Sequence, residues 1–519
     1  MVCLLGCGVN TPSVALAWRR HAARSDRLAE LTLRSLNRRR HGGHNQRDGY
    51  RHGGVRPAAQ RGGTRPMNAI HDGARPGPER YLHDDPAAGI FDLHRDVYRD
   101  PALFELEMRY VFERHWVFLA HETQIPQPLD YLATWIGHQP VLLHRDDSGR
   151  LNAFLNVCPH KGAAVCQSES GNRKFHVCPY HGWTFDARGD CVLVKDRAQG
   201  AYPAHFEQAD TRLPPLARFG NYRGFLFGSL SPDVPPLEEH LAGISAFLDM
   251  IVDQSPDGTE VIPGRSYYTF DANWKMQLEN CLDTYHLTST HPSFMNIAAS
   301  RASGGSSFRN IDIADFVDPA IPSGSYTFAN GHAAIWIETA NPEVRPLYRQ
   351  YDALVARVGR QRADMMLKTI NFTVFPNLQF SCNACIQMRV MRPLAVDRTE
   401  MRSFCIGPRG EPADQRKLRI HQFEDFFNPT GLATPDDSRV YESVQMGLRA
   451  RGAPDAGLGH LRGLAQVIEG PDAFAREIGI TPLTSASGRS DMQDETVFHG
   501  SYREWARRIR AGLASEVTA

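Results

Sequence analysis

Along the 519-residue chain the spacing of apolar positions changes several times, and each change predicts a new element. From Asp92 to Phe118 apolar residues recur at intervals of three and four, through Phe104, Met108, Val111 and Phe112. This spacing predicts a helical stretch that ends in the bulky run His115-Trp116-Val117-Phe118. The pattern then shortens to strand-like runs at 131–136, 141–144 and 151–157, separated by turns rich in Gly, Pro and Asp, with a further pair at 220–222 and 225–230. Residues 232–236 carry several prolines and read as a linker. Leu237, Leu241, Ile244, Leu248 and Ile251 then share one helical face, which suits a helix laid on a sheet. Strands are predicted again at 267–270, 370–374, 378–380 and 385–390, and an amphipathic helix around Trp505, Ile509 and Leu513 closes the chain. Mixed strands and helices on this scale predict an α+β protein of more than one domain.

Composition changes this picture mainly at the amino terminus. Basic and acidic residues both number 58, so the chain is formally neutral, but residues 1–66 hold 13 Arg, no Lys and three acids. The remaining 453 residues carry 45 basic and 55 acidic groups, so a segment near +10 masks a body near −10. The basic segment has little apolar periodicity after about Leu36. A secretory signal is disfavoured because no positive charge precedes its first apolar stretch. A transit peptide or a nucleic-acid-binding arm fits the charge, although Arg without interleaved aromatics is a weak signal for the latter. The simplest expectation is that translation starts at Met67 and that 1–66 is a disordered or untranslated leader. No apolar run reaches the roughly 20 residues of a membrane helix. The ten cysteines are too sparse for a disulfide scaffold, which suggests reduced thiols in a cytoplasmic protein.

Within the strand-rich block, Cys158-Pro-His160 is followed by Cys178-Pro-Tyr-His181-Gly-Trp183. Two thiols and two imidazoles suit zinc or an iron–sulfur cluster. A zinc finger usually places its cysteines together and its histidines together, whereas here each loop offers one of each. That distribution suits a [2Fe–2S] cluster whose two irons take the thiolates and the imidazoles separately, and with Gly162 and the Tyr180-His181-Gly182-Trp183 run the segment resembles the Rieske proteins. Cys166 and Cys191 flank the loops and are expected to be thiols, not a disulfide. His176 is expected on the surface of a strand.

Further on, Asn273-Trp274-Lys275 precedes Glu279-Asn280-Cys281-Leu282-Asp283-Thr284-Tyr285-His286 and His291-Pro292. Asp283 and His286 are three apart and would share a helix face. His291 lies about 140° further round an ideal helix, so the helix must end or distort before it if both imidazoles are to share a metal, and Pro292 makes that break plausible.

This order of residues resembles the catalytic domain of Rieske non-haem iron ring-hydroxylating oxygenases, and the likeness runs from about Asp92 to the C-terminus. The segments 91–126, 222–230 and 247–264 look most like the large subunits of benzoate, anthranilate and 2-halobenzoate 1,2-dioxygenases. The resemblance implies a [2Fe–2S] cluster on Cys158, His160, Cys178 and His181, and one mononuclear Fe(II) on His286, His291 and a downstream carboxylate. Matching Phe427-Asn428-Pro429-Thr430-Gly431 to the family pattern places that ligand at Asp437, with Asp436 as the alternative; the one not used would be a solvated turn residue. It also implies that Asp283 links His286 to His181 of a neighbouring subunit for electron transfer. An α3 or α3β3 assembly with a small β subunit is implied, with electrons from NADH through a separate reductase and, in some systems, a ferredoxin.

The expected domains are the leader 1–66, an N-terminal helical part 67–112, a Rieske domain 113–232 and a catalytic domain 233–519. The expected activity is dihydroxylation of an aromatic ring, such as that of an aromatic carboxylate, with a Rieske monooxygenase or demethylase as the alternative. Cys281 and Leu282 depart from the family's usual glycine and should reshape the wall beside the iron. Cys382 and Cys385 have redox-motif spacing without a thioredoxin-like pattern and are read as strand residues. Gly457-Leu458-Gly459, with Gly463, misses the dinucleotide fingerprint, so the chain is not expected to bind NADH itself.

Overall fold

The computed structural model describes residues 77–304, 320–450, 452, 460–489 and 494–517. The leader 1–66, Met67 and the glycine-rich 457–459 lie outside the described residues. The helical stretch expected from Asp92 to Phe118 is shorter at both ends. Ile90–Leu93 is a strand, and the helix proper is Pro101–Glu107, with a wider turn at Met108–Phe112. Asp100 starts it by accepting from the Ala102 and Leu103 amides at 2.9 and 3.4 Å, with Pro101 in the first turn, where its missing N–H has no helical partner to lose. Val117–His121 leaves the helix pattern because its residues are drawn into a sheet, every one of them buried.

That strand pairs antiparallel with Phe225–Ser229, which also pairs with Arg218–Tyr222. The chain therefore enters and leaves the strand-rich block through adjacent strands of one sheet. Between them lie a four-stranded sheet, ordered Leu151–Leu155, Gln139–Arg145, Asp130–Ile136 and Ser170–Asn172, and a three-stranded sheet of Cys191–Leu193, Thr184–Asp186 and Phe175–Val177. Asn377, on the turn between two strands of the second half, completes Val117–His121 as a strand partner would. Its Oδ1 accepts from the Phe118 amide at 3.0 Å and its Nδ2 donates to the Phe118 carbonyl at 2.9 Å.

The second half is built on a ten-stranded antiparallel sheet that includes Arg398–Pro408, Ile386–Ala395, Leu378–Cys382, Thr369–Val374, Ala333–Ile337, Pro322–Thr327 and Thr484–Arg489 in spatial order. One face packs on the helical segment after the linker. Its five expected apolar residues are all buried, but the helix is broken where Ala242 takes φ 45°, separating Leu237–Leu241 from Ser245–Val252. The other face carries the helices Trp274–Asn280 and Thr434–Leu448. Cys382 ends one strand and Cys385 immediately precedes the next; both are buried free thiols, as the strand reading expects.

The Asn-Trp-Lys motif starts the helix Trp274–Asn280 and ties it to distant chain. Asn273 caps it through Oδ1, which accepts from the Lys275 amide at 3.1 Å. Lys275 Nζ meets Glu107 Oε1 at 2.5 Å, while the indole N–H groups of Trp274 and Trp505 donate to Glu107 at 2.9 and 2.8 Å. One buried carboxylate thus joins the first helix, this helix and the C-terminal helix Val497–Val517.

Candidate metal centres

The two Cys-Pro loops are built alike. The Gly162 amide donates to the Cys158 carbonyl at 2.9 Å, and the Gly182 amide to the Cys178 carbonyl at 3.0 Å. Each turn closes on a glycine with positive φ, 77° and 72°, which a residue with a Cβ adopts only at a cost. Cys158 and Cys178 are both buried in one apolar cluster with Trp183, and burial beside the Cys178 thiol pushes the Cys158 pKa up. The rings of His160 and His181 lie 4.5 Å apart between centroids, and Trp183 stacks flat on His160 at 5.0 Å. Nδ1 of each histidine is buried with no hydrogen-bond partner. Buried polar atoms are rarely left orphaned, so two thiols and two free Nδ1 atoms on matched loops form a donor set that fits a [2Fe–2S] cluster with mixed ligation.

Cys166 and Cys191 are free thiols; Cys166 is buried and donates to the Ser168 carbonyl at 3.2 Å. His176 corrects the expectation of a surface residue. Its strand, Phe175–Val177, turns only the central side chain inward, and that ring is fully buried against Tyr131 and His144, at 4.9 and 5.0 Å. Burial pushes its pKa down to about 3, so the ring is neutral.

In the second constellation, Trp274–Asn280 ends before Asp283, and a turn carries the chain through 281–286. Asp283 therefore does not share a helix with His286. It reaches the ring from the turn, Oδ2 to Nδ1 at 3.1 Å. After one short turn, Leu287–Thr290, His291 adopts φ −112° and ψ 44° and Pro292 opens the helix Pro292–Ser303. This is the break that two imidazoles on one metal require. Asp437 comes from the first turn of Thr434–Leu448, 7% exposed, and Asp436 is its helical neighbour, so neither is a turn residue.

Asp437 Oδ1 lies 3.4 Å from His286 Nε2 and 3.0 Å from His291 Nε2, and one donor atom from each of the three residues falls within 4.8 Å of the others. The outer nitrogens are held by separate carboxylates: Asp283 at His286, and Asp436 Oδ2 at His291 Nδ1, 3.3 Å. A carboxylate on Nδ1 fixes the tautomer that leaves Nε2 free to ligate. Asn280 Nδ2 adds contacts of 3.2 Å to both Asp437 Oδ1 and His286 Nε2. Burial opposes charge on His286, but Asp283 and Asp437 outweigh it and hold its pKa up to about 10. Burial also opposes charge on Asp437, yet the two imidazoles draw its pKa below the ordinary carboxylate range. The pocket favours positive charge among these three groups, which a divalent cation supplies. Two imidazoles and one carboxylate with open positions fit ferrous iron.

Cys281 Sγ contacts the Phe380 carbonyl at 3.6 Å and Leu282 enters the core beneath the turn, both buried. Asp436 is a considered residue in an unexpected role, and Arg389, on the strand Ile386–Ala395, was not singled out by sequence at all. Its only signal is a polar position alternating with apolar ones.

Comparisons with known proteins match a family domain to the stretch that holds each centre. The family description "Rieske [2Fe-2S] domain" matches residues 115–209, and "Ring hydroxylating alpha subunit (catalytic domain)" matches 260–509. The chain is 41% identical over 437 residues to the 2-halobenzoate 1,2-dioxygenase large subunit of Burkholderia cepacia, covering 84% of this chain and 93% of that one. It is 40% identical over 439 residues to the toluate 1,2-dioxygenase α subunit of Pseudomonas putida, covering 84% and 94%. Among solved structures, naphthalene 1,2-dioxygenase with indole in its active site superposes with a TM-score of 0.68 at 25% identity, covering 81% of this chain and 92% of that one. The chain belongs to the Rieske non-haem iron ring-hydroxylating dioxygenases, as an α subunit that joins a Rieske domain to a catalytic mononuclear iron domain.

Proposed function

We propose that this α subunit dihydroxylates the ring of an aromatic carboxylate such as benzoate, anthranilate or a halobenzoate. Both atoms of O₂ enter adjacent ring carbons to give a cis-dihydrodiol, with two electrons from NADH delivered through a separate reductase. In this reading Cys158, His160, Cys178 and His181 hold the cluster, and His286, His291 and Asp437 hold the iron. When bound, the two groups supply single-electron relay and oxygen activation. The protein's own residues orient and charge-balance the site. Asp283 and Asp436 accept from the imidazole Nδ1–H groups, and Asn280 restrains Asp437. The observation that carries the reading is the triad within 4.8 Å with a separate carboxylate behind each imidazole.

The domain limits follow the same reading: an N-terminal part to 112, a cluster domain at 113–232 and a catalytic domain at 233–519. Asp283 is the residue that couples His286 to the partner subunit's cluster within an α3 or α3β3 assembly in the cytoplasm. Exposed Phe175, Val177 and Tyr180 around the second Cys-Pro loop, with exposed Tyr285 beside Asp283, support docking between α subunits. Oxygen uptake by the reconstituted enzyme across benzoate, anthranilate and 2-halobenzoates tests the substrate class. Mass analysis after turnover in ¹⁸O₂ tests the reaction: two labelled atoms in one diol are expected, and a single label would replace this reading with a monooxygenase.

A further inference from the structure

The strand Ile386–Ala395 points Ile386, Met388 and Val390 into one core and turns Gln387, Arg389 and Met391 to the opposite face. On a strand half-covered by water such polar positions would be solvated. Here they are covered, and Arg389 is 5% exposed. Its Nε donates to Gln387 Oε1 and its guanidinium lies 5.9 Å from the Phe427 ring centroid. Among the described residues, no carboxylate and no other acceptor meets its two terminal amino groups. Other deeply buried arginines have their terminal groups engaged: Arg419 pairs with Glu411 at 2.6 Å, Arg508 pairs with Glu504 at 2.6 Å and donates to the Val111 carbonyl at 3.0 Å, and Arg345 donates to the Cys382 carbonyl at 3.1 Å and to Thr369 Oγ1 at 3.0 Å. A guanidinium stays charged in proteins, and burying it without a counter-ion is unfavourable.

The strand packs against the helix Trp274–Asn280, which leads into the His286 turn, and against Phe427, which precedes the Asp437 helix, so Arg389 lies on the triad's side of the sheet, where the charges of Tyr268, Cys281, Tyr441 and Asp437 act on it. Burial pushes Tyr268 up to about 12, Cys281 up to about 11 and Tyr441 well above its usual value, so all three are neutral at physiological pH. Asp437 is the one anion of this set, and it is already engaged by His286, His291 and Asn280. Around the triad stand three carboxylates, Asp283, Asp436 and Asp437, which leave one negative charge after a dication is bound. Without a further cation that excess would repel an anionic substrate.

We propose that Arg389 anchors the substrate's carboxylate, its free amino groups forming the forked pair with the carboxylate oxygens and so orienting the ring toward the His286, His291 and Asp437 site. This rests on the reading of the substrate as an aromatic carboxylate and names the residue that makes the carboxylate a requirement. A planar fork matches a carboxylate in two bonds, which a lysine ammonium does not, so Arg389 sets both affinity and orientation.

The test is equilibrium dialysis of radiolabelled benzoate against the oxidised holoenzyme, with Arg389→Met and Arg389→Lys alongside the native protein. Iron content and the visible spectrum of the cluster are checked in each. Removing one partner of a buried, hydrogen-bonded charge pair corresponds to a loss of roughly 30-fold or more in affinity. Arg389→Met is expected to weaken benzoate binding by that factor at full iron content, with Arg389→Lys intermediate and the oxygen-uptake defect appearing first in KM. The native enzyme is expected to bind benzamide and methyl benzoate at least as much more weakly. A benzoate Kd for Arg389→Met within threefold of native, or native binding of benzamide as tight as benzoate, overturns the assignment. The native comparison decides alone if the variants do not fold. Absence of binding and oxygen uptake with every carboxylate in the native enzyme overturns the substrate reading as well, which separates the two failures.

Discussion

Replacing Glu107 by Gln probes how the catalytic helix is held. Glu107 and Lys275 are both fully buried, and the carboxylate also accepts from the indoles of Trp274 and Trp505. Burial lowers the Lys275 pKa while Glu107, and more weakly Glu279, oppose that shift, so the ammonium keeps its charge chiefly through Glu107. The amide keeps the volume but carries no charge and loses one accepting oxygen. Breaking a buried ion pair in this way costs about 3–5 kcal/mol, a large share of the roughly 5–15 kcal/mol that holds a typical domain together. The expected result is a clear fall in the urea midpoint followed by circular dichroism, with lower iron occupancy because the helix leading to Asn280 and Asp283 loosens. Pairing Glu107→Gln with Lys275→Met removes both charges, and most of the loss should return. A single-variant loss below about 1 kcal/mol, or a double variant that merely adds the two single effects, would refute the argument that this pair is electrostatically obligatory.

Other consequences are more local. Asp283→Asn keeps both donor sets intact and, with iron supplied in excess to offset the weakened partner of His286 Nδ1, should reach native iron and cluster contents while nearly abolishing coupled turnover; unchanged turnover counts against a coupling role. Asp436→Asn weakens the partner of His291 Nδ1 and should reduce iron affinity by roughly 10- to 100-fold, measured by chelator competition, with the cluster unaffected. Burial holds His121, His332 and His499 at about 4 and His176 at about 3, so these rings are neutral in the fold, whereas the unfolded chain takes up protons below about 6.5. The stability they contribute is fully present above pH 6.5 and is lost as pH falls toward 4, on the order of 1–2 kcal/mol for each ring at pH 5. A melting temperature that is flat between pH 7 and 5 would contradict this.

The two centres differ in how their sequence makes them visible. The Cys-Pro loops are local: ligand, proline and positive-φ glycine sit within a few residues, so spacing alone carries the geometry. His286 and His291 are nearly so, because Pro292 announces the break that lets both face one point. The third ligand is 146 residues beyond His291, and only likeness to a family pattern separated Asp437 from Asp436. Their different roles follow from the helix Thr434–Leu448, where consecutive residues point about 100° apart, one carboxylate toward both Nε2 atoms and the other toward His291 Nδ1.

Where sequence reading went astray, the same physical cause recurs. A short strand or helix gives an alternation of polar and apolar residues, but which face meets water is decided by elements far away in the chain. His176, a polar residue between Phe175 and Val177 on a three-residue strand, reads as a surface position, yet the two apolar neighbours face out while Tyr131 and His144, from two other strands, close over the imidazole. Arg389 and Gln387 alternate with Ile386, Met388 and Val390 as solvent-facing residues would, and the covering comes from elsewhere: the helix Trp274–Asn280 and Phe427. Polar residues on a doubly covered sheet are expensive to bury, so they persist where something must be bound. On the buried polar face of Leu378–Cys382 and Ile386–Ala395, Gln379 donates to the Gln277 and Leu278 carbonyls and Gln387 to Ser403 Oγ and the Phe427 carbonyl, so both serve the fold, and substitutions there should shift stability, whereas substitution of Arg389 should shift substrate preference first.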